Sequence, residues 1–125
     1  MTEENDIRLA YINTLLDGGY THLADGTTNP TEGYIVGGLE EESTMYSTCS
    51  PTPTIHYAQF KELWVKHANM GVSVFDGGVG TWIHGGKIYF DIVQQFHHKE
   101  LAIGIGQARK ERAIYDCANQ KEILL

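Results

Sequence analysis

The chain has 125 residues and is acidic, with nine Lys and Arg against sixteen Asp and Glu and a formal net charge of −7. This charge argues against binding to duplex nucleic acid or to an anionic membrane surface, because both need a broad basic field. The length and a hydrophobic content of 42% predict one compact domain over residues 1–125. No apolar run approaches the roughly 20 residues of a membrane span, and the acidic start is unlike a secretory signal. A cytoplasmic location is therefore expected.

In the first half of the chain, apolar residues over Glu3–Leu16 recur at helical spacing, and the pair Gly18-Gly19 is expected to end that helix. Short strands are predicted at Tyr20–Leu23 and Tyr34–Val36, joined as a hairpin-like pair across turn residues. The segment Glu40–Thr54 contains three consecutive acids and two prolines, which predicts a surface loop.

Further along, a second helix is predicted where Phe60, Leu63, Trp64, His67 and Ala68 share one face, ending near Gly71. A strand is considered for Val72–Phe75. A third helix is predicted over Lys99–Arg109, followed by a strand over Arg112–Cys117. Two glycines, at 104 and 106, weaken the third helix by about 1 kcal/mol each relative to alanine, which suggests close packing there.

The predicted fold class is α+β: a single domain with an antiparallel sheet of about five to six strands and two to three helices packed mainly on one face.

The central hairpin is the best-defined predicted element. A two-residue turn at Gly85-Gly86 places His84 opposite Lys87 and Trp82 opposite Tyr89. This register separates two faces of the hairpin. One is an aliphatic core face that carries Val79, Thr81, Ile83, Ile88, Phe90 and Ile92. The other is a mixed face, proposed for recognition, that carries Gly80, Trp82, His84, Lys87, Tyr89 and Asp91.

Positive charge is concentrated near the C-terminus. Residues 1–86 contain three Lys and Arg against eleven acids, whereas residues 87–125 contain six against five, with a basic knot at Arg109, Lys110 and Arg112. Arg109 could simply interact with the end of its helix, but paired guanidinium donors also suit a pyrophosphate, and that interpretation is favoured.

Other side chains of this region suit a nucleotide. Asp91 with Gln94 or Gln95 would suit ribose hydroxyls and base edges. Trp82 and Tyr89 either stack on a base or are buried beneath a loop or a second subunit.

Other site chemistries find little support. The stretch GIGQAR lacks the third glycine and the preceding strand of a dinucleotide-binding motif. The adjacent pair His97-His98 would need metal ligands from elsewhere, and no Ser or Cys stands in a recognisable nucleophile motif. Cys49 and Cys117 are expected to be reduced thiols. We therefore expect no catalytic residues, no metal and no cofactor.

The stretch PTEGYIVGG in the first half, together with GTWIHGGKIYFDIVQQF followed by a helix and AIYD, resembles the phage proteins of the Thoeris anti-defence type one family. The resemblance spans roughly Gly19 to Ile123. It implies a cytoplasmic phage-encoded sponge that binds the cyclic ADP-ribose isomer made by bacterial TIR-domain enzymes and sequesters it without cleavage. It also implies homo-oligomers built from dimers up to a hexamer, a ligand pocket at the subunit interface, and, in some members, a second site for cyclic oligonucleotides.

Carried over onto this sequence, the resemblance places Trp82, Asp91, Gln94, Arg109 and Arg112 at the pocket. Two departures are present: His97-His98 stands where an acidic helix cap is expected, and Glu111-Arg112 stands where neutral amides are expected. The candidate ligand-binding set is Trp82, Tyr89, Phe90, Asp91, Gln94, Gln95, Arg109 and Arg112. The alternative hypothesis is a phage accessory module that binds and inhibits a host protein, with Trp82 and Tyr89 in the interface and Arg109 in a surface patch.

Overall fold

A computed structural model describes residues 4–38, 44–47, 54–73 and 77–125 of the chain. Their helices and strands, in chain order, are α1 Glu4–Asp17, β1 Gly19–His22, β2 Tyr34–Val36, β3 Thr44–Ser47, α2 Tyr57–Ser73, β4 Gly78–His84, β5 Lys87–Phe96, α3 Lys99–Ala108, β6 Ala113–Asp116 and β7 Lys121–Leu124. None of the helices in these ranges has the length and apolar content needed to cross a bilayer.

The strands form one antiparallel sheet in the order β1-β4-β5-β2-β6-β7, and β3 pairs with β5 beside this path. The ten residues of β5 pair with β4 along one edge, and with β3 and then β2 along the other. Helix α1 packs on β1 and β4, and helix α2 packs on β4 and β5, whereas α3 packs mainly on β2 and β6. The predicted α+β class, with helices mainly on one face, is confirmed.

The central hairpin has the predicted register, with Gly85 and Gly86 both at positive φ and Trp82 paired with Tyr89. Its aliphatic face packs beneath α1 and α2, where Phe60, Trp64, Ile88 and Phe90 are fully buried. A buried hydrogen bond of 2.5 Å between the hydroxyls of Thr14 and Thr81 ties α1 to β4. Of these side chains, Thr81, Ile88 and Phe90 belong to the hairpin, and all three lie on the face that strand alternation predicts as the core face.

Helix α1 ends as predicted. Gly18 adopts a φ of +88° and its N–H donates to the carbonyl of Thr14 at 3.0 Å, which closes the last turn. The face that α1 buries is narrow, consisting of Ile7, Ala10 and Thr14, and Leu16 remains 77% exposed.

Several predictions along the chain are corrected. The strands at Gly19–His22 and Tyr34–Val36 do not pair with each other: β1 pairs with β4, and β2 pairs with β5 and β6. The local turn does form, with His22 bridged to Thr28, but the strands that pair with β1 and β2 lie far away in the sequence. Within the predicted loop Glu40–Thr54, residues Thr44–Ser47 form a strand, and most of the remaining loop lies outside the described residues. Residues 72 and 73 extend α2, residues 74–76 lie outside the described ranges, and β7 was not predicted.

The two glycines of α3 occupy different surroundings. A Cβ on Gly106 would lie 2.6 Å from Leu125 Cδ1 and 2.9 Å from Ile114 Cγ2, so the helix approaches the sheet closely there. A Cβ on Gly104 would meet nothing within 4 Å. The expectation of close packing is thus confirmed for Gly106 and wrong for Gly104.

This contrast predicts opposite effects for one substitution at two sites. Gly104→Ala should raise the free energy of unfolding by about 0.5–1 kcal/mol, because alanine lowers the conformational entropy lost on helix formation. Gly106→Ala should lower it, because Leu125 and Ile114 must shift to admit the methyl group. Urea unfolding of both variants measures the effect, and equal changes would contradict the packing of α3.

Candidate functional site: a cleft in the curled sheet

A cleft of about 900 Å³ lies on the sheet face opposite the one on which the described helices pack, and is called here the cleft. Residues from both ends of the strand order line it, including Thr21 of β1 and Glu122 of β7. One wall is the mixed face of the central hairpin, and the other is residues 110–115, from the loop after α3 into β6. Curling of the sheet brings these walls to one concavity of the size that small-molecule sites occupy.

Two aromatic rings form part of the first wall. Trp82 and Tyr89 stack with ring centroids 4.9 Å apart and an interplanar angle of 25°, and the ring of His84 lies 5.4 Å from that of Trp82. Both stacked residues are half-buried, so neither ring is fully enclosed within the chain. Such a ring pair offers a flat apolar surface for a planar ligand group.

The three residues of the basic knot have two different roles. Arg109 caps the end of α3, and its guanidinium donates from Nη1 to the carbonyl of Gly37 at 3.2 Å and from Nη2 to Oε1 of Gln94. Partial burial lowers the pKa of Arg109, although the side chain stays cationic at neutral pH. Lys110 and Arg112, by contrast, are exposed and line the cleft. They are the cations within the cleft wall that a bound anion would meet.

A pair of carboxyl groups lies beside these cations. Asp91 is buried on β5, and half-buried Glu111 lies between α3 and β6; both line the cleft. A Cβ added to Gly37 would be 2.9 Å from Glu111 Oε1 and 3.0 Å from Asp91 Oδ2, so both carboxyl groups approach one point of the backbone. Burial, and then repulsion by Asp91, raise the pKa of Glu111 to about 7, while Arg109 acts in the opposite direction.

The predicted site residues fall into two groups. Trp82, Tyr89, Asp91 and Arg112 all line the cleft. Four others of the predicted set do not line it. Phe90 is fully buried on the opposite sheet face, 5.2 Å from the ring of Phe60. Gln94 also lies on that opposite face, where it accepts from Arg109, and Gln95 donates to the carbonyl of Glu32 at 3.0 Å.

Sequence reasoning missed Glu111 and Gly37 as parts of the site. Glu111 had been noticed only as a departure from the neutral residues expected there. Its signal in the sequence is its place between Lys110 and Arg112 at a helix-to-strand junction, because burial of a single acid is uncommon. Gly37 lies in the quoted stretch PTEGYIVGG, but its approach to Asp91 and Glu111 depends on tertiary packing.

Other reactive side chains form no second site in the described part of the chain. His97 and His98 are exposed at the start of α3, and no cluster of three or more His, Cys, Asp and Glu among the described residues could hold a metal ion. Cys117 is a buried free thiol whose pKa rises to about 11, chiefly through burial. Cys49 lies outside the described ranges.

Comparison with family models, with curated proteins and with solved structures returned no match for this chain.

The opposite positions of two neighbouring β5 side chains give a test of the sheet faces. Phe90→Ala should lower the free energy of unfolding by about 3–5 kcal/mol, because it leaves a cavity between the sheet and α2. Tyr89→Ala should lower the free energy of unfolding by clearly less, because the ring is half-exposed in the cleft. Urea unfolding followed by far-UV circular dichroism measures both, and a larger loss for Tyr89→Ala would contradict the assignment of the faces.

The raised pKa of Glu111 predicts a pH-dependent contribution to stability. The carboxyl group favours folding fully below pH 4.5, and this contribution is lost as the pH rises through about 7, where the folded protein must ionise a poorly solvated group. Glu111→Gln should therefore raise the free energy of unfolding at pH 8 by about 1–2 kcal/mol relative to the parent protein, after allowance for solvent screening.

The same difference should fall towards zero near pH 4, and comparison of the two proteins removes the contributions of all other titrating groups. Urea unfolding at pH 4, 6 and 8 measures it. A Glu111→Gln variant that is equally destabilised at all three values would contradict the raised pKa.

Proposed function

We propose that the protein is a phage-encoded anti-defence sponge, which binds the cyclic ADP-ribose isomer made by TIR-domain enzymes of the Thoeris system and holds it without cleavage. One observation supports the proposal above all: the stacked Trp82–Tyr89 pair and the exposed cations Lys110 and Arg112 line the same cleft. A cyclic ADP-ribose has a purine that stacks on aromatic rings and a pyrophosphate that pairs with cations. The sequence resemblance supports the same ligand.

In this proposal Trp82 and Tyr89 contact the purine, and Lys110 and Arg112 pair with the pyrophosphate. Asp91 is positioned to accept hydrogen bonds from ribose hydroxyls. Arg109 and Gln94 act indirectly. Arg109 donates one hydrogen bond to Gln94 and one to the carbonyl of Gly37, and these bonds hold Gly37 in place at the cleft wall. No nucleophile or general base is needed, since the ligand leaves the protein unchanged.

Further parts of the proposal rest on the resemblance alone. They are action in the cytoplasm of the infected bacterium, assembly of homo-oligomers from dimers up to a hexamer, and a second site for cyclic oligonucleotides. An open cleft that leaves Trp82 and Tyr89 half-exposed is compatible with closure by a second subunit.

The direct test is to mix the purified protein with the product of a TIR-domain enzyme, remove unbound ligand by gel filtration, denature the complex by heat and identify the released compound by mass spectrometry. Intact cyclic ADP-ribose isomer is the expected product. Release of a linear or hydrolysed nucleotide would instead identify an enzyme. Absence of any retained nucleotide would contradict the proposal and favour the alternative, a module that binds a host protein.

Two substitutions locate the bound ligand. Trp82→Ala should weaken binding by about 5- to 150-fold, which corresponds to about 1–3 kcal/mol for loss of stacking on one base. Arg112→Glu should weaken it by at least about tenfold, because it places a negative charge where the pyrophosphate is proposed to bind. Lys66→Glu is the matched control. Lys66 is exposed on α2, away from the cleft, and its replacement by glutamate changes the charge by the same amount. Equal effects of Arg112→Glu and Lys66→Glu, measured by isothermal titration calorimetry, would contradict the placement.

A further inference from the structure

Glu111 has an uncommon position for an acidic side chain. It follows the end of α3 directly, is half-buried, and its two carboxyl oxygens lie against the backbone that follows β2. A Cβ on Gly38 would be 2.8 Å from Oε2, and a Cβ on Gly37 would be 2.9 Å from Oε1. The absence of side chains at 37 and 38 is what allows the carboxyl group to occupy this place.

Charged groups approach Glu111 from two packed elements. Asp91, on β5, lies close to the same point of Gly37 and repels a charged Glu111. Arg109, at the end of α3, attracts it, while its Nη1 and Nη2 each donate a hydrogen bond, to the carbonyl of Gly37 and to Gln94. Lys110 and Arg112 flank Glu111 in the chain and are exposed. Of the segment after β2, residues 37 and 38 are described next to Glu111, and both contribute glycine backbone.

Glu111 and Asp91 also line the cleft together with the cations that would bind an anion. An anionic ligand in the cleft would add a third negative charge beside two carboxyl groups in a place of reduced solvation. Repulsion of this kind favours the neutral form of the group that is easiest to protonate. With a pKa of about 7, Glu111 changes its charge close to neutral pH.

We propose that binding of an anionic nucleotide in the cleft takes up a proton at Glu111, so that the neutral carboxyl group is the form that accepts the ligand. The inference rests on the proposed function, because it specifies how the same cleft would regulate its ligand. A protonated Glu111 removes one negative charge from the wall and supplies one O–H donor, which can face a phosphate oxygen or the carboxylate of Asp91. Ligand affinity then depends on pH.

The direction of the dependence follows from the proton balance. Below the pKa of Glu111 in the free protein, the carboxyl group is already neutral and affinity is at its plateau. Above this pKa, Glu111 must take up a proton from solution when the ligand binds, so affinity falls as the pH rises. If bound ligand shifts the pKa of Glu111 by one further unit, the total loss is about tenfold.

The experiment is isothermal titration calorimetry of the intact protein with the purified cyclic ADP-ribose isomer from a TIR-domain enzyme, between pH 6 and pH 9. At each pH the titration is repeated in two buffers with different ionisation enthalpies, because the difference in heat gives the number of protons taken up. We expect net uptake of up to one proton, greatest just above pH 7, and an affinity that falls between pH 7 and pH 9.

Two matched variants assign the proton. Glu111→Gln should bind with an affinity that is nearly independent of pH and with no linked proton uptake. Glu122→Gln should keep the dependence of the parent protein, because Glu122 also lines the cleft but is exposed on β7. Any titration that belongs to the ligand itself would persist in both variants, so their difference isolates Glu111.

A third variant provides an independent route if Glu111→Gln does not fold. Asp91→Asn removes the repulsion, lowers the pKa of Glu111 and should move the fall in affinity to lower pH. Carboxyl ¹³C resonances of the parent protein, titrated with and without ligand, give the pKa of Glu111 directly and should show a rise on binding.

The outcomes separate this inference from the function on which it rests. Tight binding with constant affinity and no proton uptake across the range would overturn the inference and leave the sponge proposal intact. Proton uptake that persists in Glu111→Gln would overturn it as well. Absence of binding at every pH would overturn both proposals, and the mass-spectrometric test would then also find no retained nucleotide.

Discussion

Pairing along β5 is the constraint on which the rest of the molecule depends. Its ten residues hold β4 on one edge and both β3 and β2 on the other, so one strand joins the two parts of the sheet. Alternation along β5 sends Ile88 and Phe90 into the core, and Tyr89 and Asp91 into the cleft. A shift of one residue would exchange these faces, burying the polar groups and exposing the apolar ones. The stability of the core and the composition of the cleft are therefore set by the same register.

Elements held by local interactions were predictable from the sequence. The turn at Gly85-Gly86 fixes its own register, and the apolar spacing of α2 places Phe60 and Trp64 in the core. The pairing of β1 was not predictable in the same way, since its partner β4 lies about sixty residues further along the chain. Nothing near Gly19–His22 distinguishes a hairpin with the next strand from an edge position in a larger sheet, because side-chain alternation is the same in both.

For the cleft, the sequence predicted the side chains that a single strand pair determines. Trp82, Tyr89 and Asp91 share a face because the hairpin places them there, and Arg112 was singled out by local charge. The approach of Asp91 to Glu111 requires β5, the end of α3 and the glycines after β2 to come together. Such a three-part contact has no period or motif in the sequence. Arg109 illustrates the same limit, because its guanidinium contacts Gly37 and Gln94, which only the tertiary fold brings near.

The two tryptophans of the chain occupy contrasting environments. Trp64 is fully buried and stacks on Phe60 at 5.8 Å, whereas Trp82 is half-buried against Tyr89 in the cleft. Indole emission depends on solvent contact and on neighbouring rings, so the two residues divide the intrinsic fluorescence of the protein between them. Trp64 reports the integrity of the packed interior, and Trp82 reports events at the cleft wall. The molecule thus carries separate optical probes of folding and of occupancy, without any added label.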